Sequence, residues 1–111
     1  MELAPKTIRT KNNNMTIRIR DNTSFICSIG KAPTVAEVEI IYVPNNVVLE
    51  LESTTEFINS LAMAREFTIE DYTSTLYEVL AKTLEPKKLI VKVRAKAPRH
   101  GWVEVTVPAG D

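Results

Sequence analysis

The chain has 111 residues, the length of one domain, and 44% of them are apolar, enough for a small core and too many for a disordered chain. Fourteen basic side chains balance fourteen acidic ones, which excludes a histone-like polycation or an acidic tail. A single cysteine, Cys27, excludes an intrachain disulfide, and a single histidine, His100, leaves too few soft ligands for a zinc site, so no metal is expected.

No apolar run approaches the roughly 20 residues of a membrane span. The opening MELAPKTIRTKNNN lacks the apolar stretch of a signal peptide. The expectation is a soluble protein of a reducing cytoplasm. The charge is unevenly placed. Residues 1–36 carry six bases and two acids, residues 37–85 two bases and ten acids, and residues 86–111 six bases and two acids. Such segregation either resolves into pairing between neighbouring segments or creates a steering field.

Residues 1–14 are polar and are expected to form a flexible lead, with one domain over residues 15–111. Met15 to Arg20 alternates apolar and polar side chains, a short strand signal, and Phe25, Ile26 and Cys27 follow. Gly30 and Pro33 mark a turn. Val35 to Val43 reads as a strand with Ala36, Val38, Ile40 and Tyr42 on one face. Pro44-Asn45-Asn46 predicts a hairpin to a second strand, Val47 to Glu52. Ser53-Thr54-Thr55-Glu56 fits a capping box opening a helix to about Met63. Thr68-Ile69-Glu70-Asp71 opens a second helix, whose stripe is Ile69, Tyr72, Leu76, Val79, Leu80 and Leu84 and which ends at Glu85-Pro86. Leu89 to Lys96 and Trp102 to Val107 alternate as two closing strands around the turn Pro98-Arg99-His100-Gly101. Segregated strands and helices predict an α+β fold: a four-stranded antiparallel sheet with two helices on one face, in the order ββααββ. Its free edges, and Ile41, Val43 and Ile90 on the other face, favour a homo-oligomer joined edge to edge.

Read as residues alone, Cys27 is the one sulfur nucleophile or a small buried hydrophobe. Glu70 is a first-turn acid at a helix start, and Glu50 and Glu52 share a strand face. Lys92, Arg94 and Lys96, with Lys88, form a basic strand face. Together with Arg99 and His100 they are candidate RNA contacts.

Several stretches in this order resemble the 7-cyano-7-deazaguanine reductase family of the tunnelling fold. They are Cys27-Ser-Ile-Gly-Lys-Ala-Pro33-Thr34, Tyr42-Val-Pro44, Glu50-Leu-Glu-Ser53 with Phe57 and Ser60, Ile69-Glu70-Asp71, Leu84-Glu-Pro86 and Pro98-Arg99-His100-Gly101. The resemblance runs from about residue 25 to residue 108 and rests on order and spacing rather than on any one motif. It implies that the Cys27 thiolate adds to a nitrile carbon to give a thioimide. It also implies that Glu70 accepts hydrogen bonds from the deazaguanine ring, and that Leu49, Glu50, Leu51 and Ile69 line the substrate. Thr34 stands where the family carries a proton-donating aspartate, and a hydroxyl is far too weak an acid for that task. Glu37 and Glu39 are the nearest acids in sequence.

Family reductases place two lysines against the phosphates of NADPH where this chain has Glu52 and Thr55, an acid where an anion needs a cation. A short archaeal branch lacks those lysines. In it, ammonia displaces the thioimide on tRNA to give the amidine of archaeosine. The resemblance to that branch implies 7-cyano-7-deazaguanine in tRNA and ammonia as substrates, interface active sites in a homo-oligomer, and no cofactor. NADPH enters only if the chain is a reductase of queuosine synthesis, and a non-catalytic deazapurine- or RNA-binding homologue is the third alternative.

Overall fold

Alternation with a period of two decides which side of the sheet is covered. A computed structural model of the chain describes residues 3–110. Its elements are β1 (Thr7–Arg9), β2 (Ile17–Ile26), β3 (Pro33–Val43), β4 (Val47–Leu49), α1 (Leu51–Ala64), α2 (Ile69–Leu84), β5 (Lys88–Lys96) and β6 (Trp102–Val107). Four of the strands form an antiparallel sheet in the order β2-β3-β5-β6, while β1 and β4 pair separately. The architecture is α+β, as the segregated pattern predicts.

On the covered face lie Ala36, Val38, Ile40 and Tyr42 of β3 and Leu89, Val91, Val93 and Ala95 of β5, all buried. Against them pack Phe57, Ile58, Leu61 and Ala62 of α1 and Tyr72, Leu76, Leu80 and Leu84 of α2. Complete burial of a large aliphatic or aromatic side chain contributes about 1.5–3 kcal/mol, so this seam carries the fold. Tyr72 is its polar fixture. Its ring stacks on Phe25 at 5.1 Å and meets Phe67 edge-on at 5.4 Å, and its hydroxyl donates to the Ile58 carbonyl at 2.8 Å. Burial pushes that phenol's pKa upward, so it stays a neutral donor.

The opposite face resolves the uneven charge by pairing. Acid-bearing β3 lies between basic β2 and basic β5. Arg20 donates to Glu39 at 2.7 Å, Lys92 stands opposite Glu39, and Arg94 stands opposite Glu37 and 3.7 Å from Glu104. The Arg20 hydrogen bond holds the Glu39 carboxyl below its ordinary range. Ile41 and Ile90 are direct cross-strand partners on this face and half-bury one another. Pairs as exposed as Arg94–Glu104 add little stability, so this face mainly sets register.

Three expectations are corrected. Val47 to Glu52 does not form a hairpin with β3. Both edges of β3 are taken, by β2 from Ile17–Tyr42 to Ile26–Pro33 and by β5 from Val35–Lys96 to Val43–Lys88. The three residues of β4 therefore find another partner, β1, through Thr7–Leu49, Ile8–Val48 and Arg9–Val47. That pairing orders Thr7–Arg9, inside the lead expected to be flexible. Finally, α1 starts earlier than the capping box at Ser53 suggests. Its N-cap is Glu50, whose carboxylate accepts from the Glu52 and Ser53 amides at 2.9 and 2.8 Å. The second helix is capped as read, Thr68 Oγ1 accepting from the Asp71 amide at 3.1 Å, and Glu85 ends it in a left-handed conformation. Among the described residues, no helix is long and apolar enough to cross a membrane.

Leu76 is fully buried where α2 meets the sheet. Leu76→Ala is expected to lower unfolding stability by about 2–5 kcal/mol, read from urea denaturation followed by circular dichroism, with an unchanged m-value.

Candidate active site

The turn that carries the cysteine is built by backbone alone. The Cys27 amide donates to the Ala32 carbonyl at 3.1 Å, and the Lys31 amide donates back to the Cys27 carbonyl at 2.9 Å. The left-handed residue of this turn is Lys31 (φ 58°) rather than Gly30, and its ammonium pairs with Glu66. Next to the turn runs the segment entering α2. Phe67 N–H donates to the Ile26 carbonyl at 3.1 Å, and Ser28 N–H donates to the Phe67 carbonyl at 3.0 Å, so Cys27 and Phe67 lie side by side as a short parallel bridge. Phe67 itself is 1% exposed, with its face covered by the Arg65 guanidinium 3.9 Å from the ring centre. From this anchor the chain needs one residue, Thr68, to cap the helix, and Glu70 then falls in the first turn of α2.

The result is a cavity of about 320 Å³ lined by Phe25, Cys27, Ile29, Thr34, Thr68, Ile69, Glu70, Ala95, His100 and Val103. That volume lies at the lower end of the roughly 300–1,000 Å³ of small-molecule sites. Cys27 is half-buried, Thr34 is 4% exposed, and Glu70 and His100 stand exposed at the opening. Ile29, 81% exposed, gives the opening an apolar lip. A larger cleft of about 490 Å³ shares Phe25 as a wall but is lined by neither thiol nor imidazole.

Four of the residues that sequence reasoning singles out for nitrile chemistry therefore meet: Cys27, Thr34, Ile69 and Glu70. His100, singled out as an RNA contact, joins them instead. Phe25, Ile29, Thr68, Ala95 and Val103 carry no sequence signal for this cavity, because only the meeting of β2, β3, α2, β5 and β6 creates it.

Leu49, Glu50 and Leu51 are not in the cavity. They follow the far end of β3, and Thr34 and Val43 are separated by nine residues of strand, about 30 Å. Their polar groups are also engaged within the chain. Leu49 N–H donates to the Tyr42 hydroxyl at 2.9 Å, and Glu50 N–H to the Lys6 carbonyl at 2.9 Å. The Glu50 carbonyl accepts from Thr54 N–H at 3.1 Å and Thr54 Oγ1 at 2.7 Å. The two amide hydrogen bonds hold the Glu50 carboxyl below its ordinary value. Lys92, Arg94 and Lys96 project from the opposite face of the sheet, where Glu37, Glu39 and Glu104 interrupt them. They do not line the cavity and are not a continuous basic stripe. Arg99 is exposed in the turn beside His100.

Residues 33–110 match the family model described as QueF-like protein, and the chain belongs to that family. It is 37% identical over 70 residues to the NADPH-dependent 7-cyano-7-deazaguanine reductase of Wolinella succinogenes, a match spanning 63% of this chain and 56% of that protein. It is 31% identical over 96 residues to the enzyme of the same description from a Sulfurovum species, spanning 83% of this chain and 75% of that one. Among solved structures, the apo archaeosine synthase QueF-Like superposes with a TM-score of 0.71 and 27% identity, covering 83% of this chain and 90% of that one. The family comprises nitrile reductases and archaeosine synthases, and its chemistry is that of 7-deazaguanines.

The group implied by the reductases is NADPH, and the start of α1 does not suit it. Glu52 and Glu56 are exposed there, and the helix amides that could bind a phosphate are taken by the chain's own Glu50 carboxylate. Glu50→Gln is expected to lower the melting temperature at neutral pH. The sign follows from the depressed folded-state pKa: the stabilisation is present above the carboxyl's ordinary value of 4.5 and fades as pH falls through the lower folded value. Melting curves of the two proteins should therefore converge in acid.

Proposed function

We propose that this chain is a tRNA-modification enzyme of 7-deazaguanine chemistry that forms the amidine of archaeosine. The observation that carries the reading is the convergence of the Cys27 thiol and the Glu70 carboxylate on one cavity of small-molecule size. The Cys27 sulfur adds to the nitrile carbon of 7-cyano-7-deazaguanine held in tRNA, and the thiol proton ends on the nitrile nitrogen, giving a thioimide. Ammonia then adds to the same carbon, the carbon–sulfur bond breaks, and the thiol recovers its proton. The balance is one nitrile plus one ammonia to one amidine, with no change of oxidation state. Glu70 accepts hydrogen bonds from the ring N–H and exocyclic amine, which orients the nitrile toward sulfur.

The apo archaeosine synthase QueF-Like superposes over nearly its whole length, which supports this reading over reduction. The names of the two reductase relatives favour NADPH chemistry, but the acidic, self-capped start of α1 opposes it. The edges of β2 and β6 are unpaired within the sheet, and assembly through them is the route by which Leu49, Glu50 and Leu51 of another copy reach the cavity.

Incubation with 7-cyano-7-deazaguanine is expected to give a new ultraviolet band and a mass increase on Cys27, both lost in Cys27→Ala. Ammonium-dependent amidine formation on nitrile-bearing tRNA completes the assignment. NADPH oxidation would move it to the reductases, and binding without an adduct would leave a non-catalytic module. Glu70→Gln is expected to weaken binding of the free base by roughly 10–100-fold, the loss of one or two charge-assisted hydrogen bonds, while an adduct still forms at saturation. Titration calorimetry on the Cys27→Ala background reads that change without interference from the covalent step.

A further inference from the structure

We infer that His100 carries the proton from the Cys27 thiol to the nitrile nitrogen. This deepens the reading above and rests on it. Adding S–H across a carbon–nitrogen triple bond forms one sulfur–carbon bond and moves one proton between two atoms at opposite ends of the reacting group, so a relay with both a donor and an acceptor state is needed. The cavity has three ionisable side chains, Cys27, Glu70 and His100. Cys27 is the nucleophile, and Glu70 sits in the first turn of α2 as the ring acceptor. Thr34 cannot serve: a hydroxyl is too weak an acid, and its Oγ1 faces the Ala32 carbonyl at 3.5 Å. Glu37 and Glu39 cannot reach. Thr34 shares the covered face of β3 with Ala36 and Val38, so the odd-numbered glutamates lie on the other side of the sheet, where Arg20 engages Glu39.

His100 is also held in the tautomer that the relay needs. Its Nδ1 lies 2.6 Å from the Gly101 carbonyl oxygen, which can only accept, so Nδ1 carries the hydrogen. Nε2 is left with a lone pair to receive the thiol proton, and the imidazolium so formed donates it to nitrogen. The turn is pinned by His100 N–H donating to the Ala97 carbonyl at 3.3 Å. The titratable groups that share the cavity with the ring are Glu70 from α2 and Cys27, and Arg99 is exposed beside it in the turn, while Lys96 projects from the other face of β5. The proton ends on nitrogen, the imidazole returns to its neutral form, and nothing is oxidised.

The test is the rate of adduct formation with 7-cyano-7-deazaguanine in wild type, His100→Gln and His100→Ala, followed by stopped-flow absorbance across the neutral pH range. The expected result is a rate about 10²–10⁴-fold lower in both variants, loss of the pH-dependent limb of an imidazole, and partial recovery of His100→Ala by added imidazole. Affinity, measured on the Cys27→Ala background, stays unchanged, which separates proton transfer from a structural role of the turn. Wild-type rate and pH profile in His100→Gln, with the adduct still forming, would overturn the inference and leave the proposed function intact. Absence of an adduct in wild type would overturn both.

Discussion

Two backbone hydrogen bonds, from Phe67 N–H to Ile26 and from Ser28 N–H to Phe67, tie the cysteine turn to the start of α2. Neither depends on a side chain, so the backbone of Cys27 is held beside the entry to α2 by main-chain geometry. What the side chains add is the anchor. Phe67 is buried against Tyr72, and Tyr72 in turn holds Phe25, the residue two positions before Cys27. One stacked and one edge-on aromatic contact thus tie the end of β2 and the segment before α2 to α2 itself. The cavity lies beside these contacts, next to the turn that joins β5 to β6.

The two helix starts show why one acid is structural and another is free for a ligand. Both are capped by an oxygen from the chain, as exposed helix amides require. At α1 that oxygen is the Glu50 carboxylate, so its charge is spent on Glu52 and Ser53 amides. At α2 it is the Thr68 hydroxyl, a neutral group, and the acid two residues later need not cap anything. Glu70 therefore keeps its acceptor capacity and projects at the opening of the cavity. Two glutamates of identical chemistry are assigned different work by the residue standing at the N-cap.

Much of this was legible in the sequence because it is local. The alternation in Val35–Val43 and Leu89–Lys96 and the stripe through Tyr72, Leu76, Leu80 and Leu84 are nearest-neighbour patterns, and each sits in the core as its period requires. The partner of Val47–Leu49 was not legible. Hairpin chemistry in Pro44-Asn45-Asn46 is a local signal, whereas the occupation of both β3 edges is a property of the whole sheet. The start of α1 escapes local reading for a related reason. Glu50, Leu51 and Glu52 continue a strand alternation, and only the Lys6 and Thr7 backbone on the other side ends the strand at Leu49. Asp21, Asn22 and Thr23 blur the alternation within β2, yet they pair in register with Val38, Glu37 and Ala36. Around the cavity, Cys27, Thr34 and Glu70 were visible through the order of resembling motifs. The place of His100 was not, since it comes from a turn some seventy residues away that folds over the cysteine.

The sheet separates two kinds of electrostatics. On its outer face, acids and bases alternate across β2, β3, β5 and β6, in solvent, where pairs neutralise one another and leave little field. On its covered face, at one of the places where packing opens, a thiol, a carboxylate and an imidazole line the same cavity. The same alternation that puts Val38 and Ile40 into the core turns Glu37 and Glu39 to the outer face and keeps every β3 acid out of the cavity. The ionisable groups of the cavity come instead from the turns and the helix start: Cys27, His100 and Glu70. Thr34 at the start of β3 brings a hydroxyl to this wall, and the titratable groups beside it come from the turns and from the start of α2.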